Sequence, residues 1–139
     1  MKLTKPIVFV CTGNTCRSPL AESYAKSAFK DRTFASRGIM VTGSTISPIS
    51  QQIIDEESLI QPETPQQISA EDAGSSILLT MTRSHFNVLK EMYPDSEIYL
   101  LSEYADDSCK DISDPFGGSY EDYREVYAQI KTFIDELFK

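Results

Sequence analysis

Apolar and polar positions fall into blocks along the chain, and the blocks change period. Ile7, Val8, Phe9, Val10 and Cys11 form a short continuous apolar run, the pattern of a strand buried on both faces. After a brief polar loop, Ser18-Pro19 opens a helix, with Ser18 as its cap and Pro19 in the first turn. Leu20, Tyr24, Ala25 and Ala28 share one face of that helix. A second strand is predicted within Phe34 to Thr42. Ser47-Pro48 followed by Ile49, Ile53 and Ile54 predicts another helix, and Ser69-Ala70-Glu71-Asp72 reads as a further helix start. Ser76 to Thr82 is the third strand, and Ile98 to Leu101 the fourth. Between them Ser84 to Met92 is helical, with Phe86, Leu89 and Tyr93 inward. Asp106 to Gly118 reads as a polar loop holding Pro115, Gly117 and Gly118. The last helix has the clearest period: Tyr123, Val126, Tyr127, Ile130, Phe133, Ile134 and Leu137 recur three and four apart.

Apolar strands that alternate with helices predict a three-layer α/β/α fold around a four-stranded parallel sheet. Such sheets bind ligands beyond the carboxyl ends of their strands. Cys11 stands at such an end, so the loop behind it is where a site belongs. There is no internal repeat, low-complexity stretch or linker, and residues 1–139 are expected to form one domain.

Composition narrows the classes. With 40% hydrophobic and 24% charged residues the chain reads as an ordinary globular domain. No apolar run approaches the roughly 20 residues of a membrane span. The basic opening Met1-Lys2-Leu3-Thr4-Lys5-Pro6 is followed by too short an apolar run for a signal peptide, so a cytoplasmic protein with no membrane partner is expected. Thirteen basic against 21 acidic residues give a net charge of −8, with no Lys/Arg cluster, so no nucleic-acid partner is expected either. Three cysteines and one histidine, scattered, argue against a disulfide framework and a metal site; no cofactor is expected, and the protein is expected to be a monomer. His85 is read as capping or decorating its helix, and Cys109 as structural or incidental.

Against an acidic background, the loop Cys11-Thr12-Gly13-Asn14-Thr15-Cys16-Arg17-Ser18 is built for an anion. Its backbone N–H groups can turn inward as a nest at a helix start, where the helix dipole adds a partial charge of roughly +0.5. Gly13 admits a backbone conformation that other residues resist, and Asn14 tolerates the left-handed one. Arg17 supplies a fork for two phosphate oxygens. Cys11 in the centre is stabilised as a thiolate without a histidine. A thiolate aimed at phosphorus makes a phosphoenzyme by in-line displacement. The leaving group then needs an acid, and Asp114, followed by Pro115, is the first candidate; Asp111 is its rival.

Cys-X5-Arg-Ser near the start with a late Asp-Pro resembles the low-molecular-weight protein tyrosine phosphatase family. CTGNTCRSPLAE and DPFGGS carry the resemblance, which spans the chain. It implies a four-stranded parallel sheet, hydrolysis of phosphorylated protein substrates, release of inorganic phosphate and a phosphocysteine intermediate. It makes Cys11 the nucleophile, Arg17 the phosphoryl ligand and Asp114 the acid and later the base. Thr12, Gly13, Cys16 and the rest of the loop would bind the phosphoryl group. Asn14 and Ser18 would hold the loop's shape, Ser18 through a hydrogen bond to the thiolate. Thr15, where tyrosine phosphatases of the family usually carry a bulky apolar residue, is similar to the bacterial protein-arginine phosphatases. Thr15 would orient a guanidinium, Asp114 would contact it, and Phe116 would wall the pocket. One departure stands at Glu63, near which many relatives carry a histidine that supports the loop. Phosphotyrosine remains the alternative substrate. A thiol-linked arsenate reductase would need a cysteine relay beyond the third strand, and a phosphopeptide-binding module would need no acid.

Overall fold

The computed structural model describes residues 5–138; Met1 to Thr4 of the basic opening lie outside the described residues. Four strands, β1 (Ile7–Cys11), β2 (Phe34–Gly38), β3 (Ile77–Thr80) and β4 (Glu97–Leu100), form one sheet in the order β2-β1-β3-β4. Every pairing is parallel. From β1 the chain passes to one neighbour and later returns to pair on the other side. The β1 carboxyl end is therefore the topological switch point where parallel sheets open a crevice.

Side-chain alternation along β1 sorts the core into two layers. Ile7, Phe9 and Cys11 face a cluster with α1 (Arg17–Ala28), α2 (Pro48–Glu56) and α6 (Tyr120–Phe138). Val8 and Val10 face a smaller one with Leu78, Ile98, Ala73 of α3 (Ala70–Ser75) and Leu89 of α4 (Arg83–Met92). Fully buried residues such as Phe9, Leu20 and Leu79 each contribute roughly 1.5–3 kcal/mol by leaving water. The face of α6 that its period predicts is the one buried, although Leu137 is only half-buried and Phe138 takes its place beside Phe34.

Helix starts follow local chemistry. Ser47 caps α2, with Pro48 as its first residue; Ser69 and Asp72 form a capping box on α3; Thr82 caps α4. Two expectations need correction. Ser18 does not cap α1: that helix begins at Arg17, and the Ser18 hydroxyl is drawn inward to the loop. Ala28, the last residue of α1, is exposed, so the inward stripe stops at Ala25. One element has no signature in the sequence. Leu101–Asp106 forms a short helix, α5, directly after β4. Its six residues are too few for a period to show, and it is held by burial of Leu101 and Ser102. Among the described residues no helix is long and apolar enough to cross a membrane.

Candidate active site

The chain leaves β1 at Cys11 and enters α1 at Arg17, so five residues make the turn. Asn14 takes the left-handed conformation, φ 57°, while Gly13 does not have a positive φ, which corrects the conformational role expected of that glycine. The loop's carbonyls are tied off outward. Those of Cys11, Thr12 and Thr15 accept from the N–H groups of Ile39, Met40 and Ser47 at 2.9–3.0 Å, and that of Cys16 accepts from Ser50 Oγ at 3.4 Å. In a planar trans peptide the following N–H points the opposite way. The N–H groups of Thr12, Gly13, Cys16 and Arg17 are therefore turned toward the loop's hollow, as an anion nest requires.

Below the hollow runs a directed chain of hydrogen bonds. Glu22, fully buried, accepts from Ser36 Oγ at 2.5 Å, from Lys26 Nζ at 2.6 Å and from the Glu63 N–H at 3.0 Å. Ser36 has then spent its proton, and its oxygen accepts from Asn14 Nδ2 at 2.9 Å. Asn14 Nδ2 also donates to Ser18 Oγ at 2.7 Å. The Ser18 hydroxyl can then give its proton to Cys11, whose Sγ lies 2.9 Å away, a direction that would suit a thiolate acceptor. Asn14 Oδ1 in turn accepts from the Gln66 N–H at 2.9 Å. This network braces the loop from beneath, with the Glu63 N–H as one of its donors. The Glu63 carboxylate turns away toward Arg37 at 3.5 Å.

Arg17 is almost wholly buried, yet its fork is only partly used. Nη1 donates to the Ile112 carbonyl at 2.9 Å, Nη2 stands 3.7 Å from Asp114 Oδ2, and the buried Nε has no partner. A buried donor left unpaired is costly and marks a position where an anion would repay it. Asp114 is half-exposed, and its Oδ1 accepts from the Phe116 N–H at 3.0 Å, closing a turn that continues through Gly117 at φ 81°. Asp111, the rival acid, accepts instead from the Arg83 N–H at 2.8 Å.

Cys11, Thr12, Gly13, Thr15, Cys16, Arg17, Met40, Thr42, Asp114 and Phe116 line one cleft of about 270 Å³. Asn14 and Ser18 lie beneath it, buried. Phe116 is 76% exposed and Met40 67%, so both stand at the rim. The Cys16 thiol lies 3.6 Å from Tyr123 Oη. Desolvation chiefly raises the pKa of that tyrosine above its ordinary value.

Four contributors escaped the sequence reading. Ser36 and Glu22 carry no local signal beyond their presence near the motif. Gly38, at the end of β2, approaches the loop so closely that a Cβ there would sit 2.8 Å from the Thr12 carbonyl oxygen and 3.0 Å from the Asn14 nitrogen. His85, expected to cap or decorate α4, is instead buried with Nε2 2.8 Å from Thr12 Oγ1. Its pKa is lowered to about 4, by burial first and then by the Arg17 charge. Cys109 lies apart, exposed and bonded to Glu103.

A parallel sheet with a cysteine-to-arginine anion loop at its switch point defines a class of phosphoryl-transfer domains. The model of the low molecular weight phosphotyrosine protein phosphatase family matches residues 6–139, and the chain belongs to that family. It is a hydrolase, a low-molecular-weight protein phosphatase. It is 46% identical over 133 residues to the low molecular weight protein-tyrosine-phosphatase PtpB of Staphylococcus haemolyticus, covering 94% of this chain and 96% of that one. Against PtpB of Staphylococcus aureus the identity is 36%, over 94% and 95%. Among solved structures, the YwlE arginine phosphatase of Geobacillus stearothermophilus superposes with a TM-score of 0.89 at 31% identity, covering 96% of this chain and 90% of that one. A second YwlE arginine phosphatase structure, a variant with a phosphorylated active-site serine, gives 0.90 at 27% identity, over 95% and 92%.

Proposed function

We propose that the protein hydrolyses phosphoarginine in proteins through a phosphocysteine on Cys11. The Cys11 thiolate attacks phosphorus in line with the scissile bond. The S–P bond forms, the P–N bond breaks, and Asp114 gives its proton to the departing guanidine nitrogen. Asp114, now a carboxylate, takes a proton from water as its oxygen attacks the phosphocysteine. The S–P bond breaks, phosphate leaves and Asp114 is an acid again. The inward N–H groups and the unspent donors of Arg17 hold the three phosphoryl oxygens throughout. The phosphorylated serine of the YwlE variant supports transfer to this position.

One observation carries the choice of side chain: acceptor oxygens interrupt a cleft lining that is otherwise mostly apolar. Thr12, Thr15, Thr42 and Asp114 offer oxygen acceptors around the hollow. A guanidinium carries only donors, and each one buried without an acceptor costs roughly 1–3 kcal/mol. A phenol makes no such demand. The other reading, phosphotyrosine, is favoured by the names of the PtpB relatives and by the apolar rim of Met40 and Phe116.

Turnover of phosphoarginine and phosphotyrosine peptides, measured side by side, tests the proposal. Phosphoarginine is expected to have the higher kcat/KM. Thr15→Ile should move the ratio of the two toward phosphotyrosine by about tenfold or more. A strong preference of the unmodified enzyme for phosphotyrosine, or an equal loss on both substrates in the variant, overturns it.

A further inference from the structure

His85 is the only histidine of the chain, and it is buried. It lies on the first turn of α4, buried, and its backbone N–H is taken by the capping hydroxyl of Thr82. Nε2 meets Thr12 Oγ1 at 2.8 Å, and Nδ1 is buried with no partner. Whichever ring nitrogen carries the proton, one polar position of the ring is unmatched. Such groups are rare in folded proteins and call for a reason. A phenylalanine or leucine at this position would leave nothing unmatched.

Thr12 gives the reason. It is the first residue of the loop, its side chain is exposed, and it lines the cleft. Its flanking peptides are tied by the N–H groups of Ile39 and Met40, which bond the Cys11 and Thr12 carbonyls. Both ties come from the one segment after β2, so an anchor from elsewhere limits any tilt of the Thr12 and Gly13 N–H groups about it. The imidazole supplies the anchor from the opposite direction, reaching up from α4 to a hydroxyl 73 positions away in sequence. It does so without adding a charge. Burial and the nearby Arg17 guanidinium keep the ring neutral down to about pH 4, although Asp111 and Asp114 pull the other way.

We propose that His85 is a positioning residue of phosphoryl transfer, acting through the Thr12 hydroxyl to fix the first two N–H donors of the cradle. It touches no reacting atom. The inference rests on the cradle being the phosphoryl site, as proposed above, and is independent of whether arginine or tyrosine carries the phosphoryl group.

Two measurements test it. A lone histidine gives a single set of imidazole resonances, so the ring can be followed in the unmodified protein while inorganic phosphate is added. The ring signals should shift along the same saturation curve as phosphate binding measured calorimetrically. In kinetics, His85→Phe and Thr12→Val should each lower kcat/KM for p-nitrophenyl phosphate by about tenfold and raise the inhibition constant of inorganic phosphate. The double variant should lose no more than the worse single one, because both break the same link. His85→Gln, which can still bond the hydroxyl, should recover part of the loss. Imidazole signals that ignore bound phosphate, or losses that add in the double variant, overturn the proposal. Thr12→Val changes an exposed side chain, so it decides the kinetic arm even where His85→Phe folds poorly. If the unmodified protein binds no phosphate and hydrolyses no phosphate ester, the cradle reading itself fails. Normal binding beside an unresponsive ring defeats only the role of His85.

Discussion

Arg17 Nη1 donates to the Ile112 carbonyl at 2.9 Å, so the residue that opens α1 also clasps the segment that carries Asp114. The proposed phosphoryl ligand and the proposed acid share one guanidinium, with Asp114 Oδ2 3.7 Å from Nη2. A lysine has one point of charge and no fork, and cannot serve both the carbonyl and an anion. Arg17→Lys is expected to lower kcat/KM by about a hundredfold or more and to speed amide exchange through residues 111–116. Activity loss with unchanged exchange would show that the clasp does not order the acid.

The proposed nucleophile has a direct test. Cys11→Ser should abolish turnover by several orders of magnitude while inorganic phosphate still binds, since the N–H groups and Arg17 are untouched. Residual activity above about 1% of the unmodified rate counts against a phosphocysteine.

Gly38 and Gly74 form a matched pair. An alanine Cβ at 38 would press within 2.7 Å of Val41 Cγ2 and 2.8 Å of the Thr12 oxygen, and backbone cannot yield cheaply. Gly38→Ala should cost about 1–3 kcal/mol in denaturant unfolding and reduce kcat, because the displaced atoms belong to the cradle. At Gly74, inside α3, a Cβ meets nothing within 4 Å, so Gly74→Ala should be neutral or stabilise by up to about 1 kcal/mol, with activity unchanged. Equal effects at the two positions would contradict the close approach at 38.

The neutral His85 makes stability depend on pH. Its pKa falls from 6.5 to about 4 on folding. Between those values the unfolded chain binds the proton and the folded one does not, so stability falls as pH drops through the window. Above pH 6.5 the contribution is complete, and below about 4 the loss levels off. The loss is on the order of 2–3 kcal/mol. From urea unfolding at pH 4.5 to 7.5, the stability of the unmodified protein minus that of His85→Phe should fall by about that amount toward the acid end; parallel curves would mean the ring is not held neutral.

What the sequence alone determined is local. A five-residue apolar run reads as β1, a three-and-four spacing as α6, and Ser69 with Asp72 as the start of α3, because strand, helix and cap signals each lie within a few neighbours. Cys11 to Ser18 is legible for the same reason: nest, left-handed Asn14 and helix start are contiguous. The fold class follows from alternation of those elements. Only the tertiary structure decided what braces the loop. Ser36 reaches Asn14 across 22 positions, Thr12 meets His85 across 73, and Arg17 finds Ile112 across 95. Such contacts arise from the parallel pairing β2-β1-β3, which lays the ends of distant strands side by side. A serine, a histidine or a backbone carbonyl has no periodicity of its own to announce that meeting. Gly38 shows the same limit: its lack of a Cβ matters only because the returning loop passes within contact distance, a fact of packing rather than of neighbours in sequence.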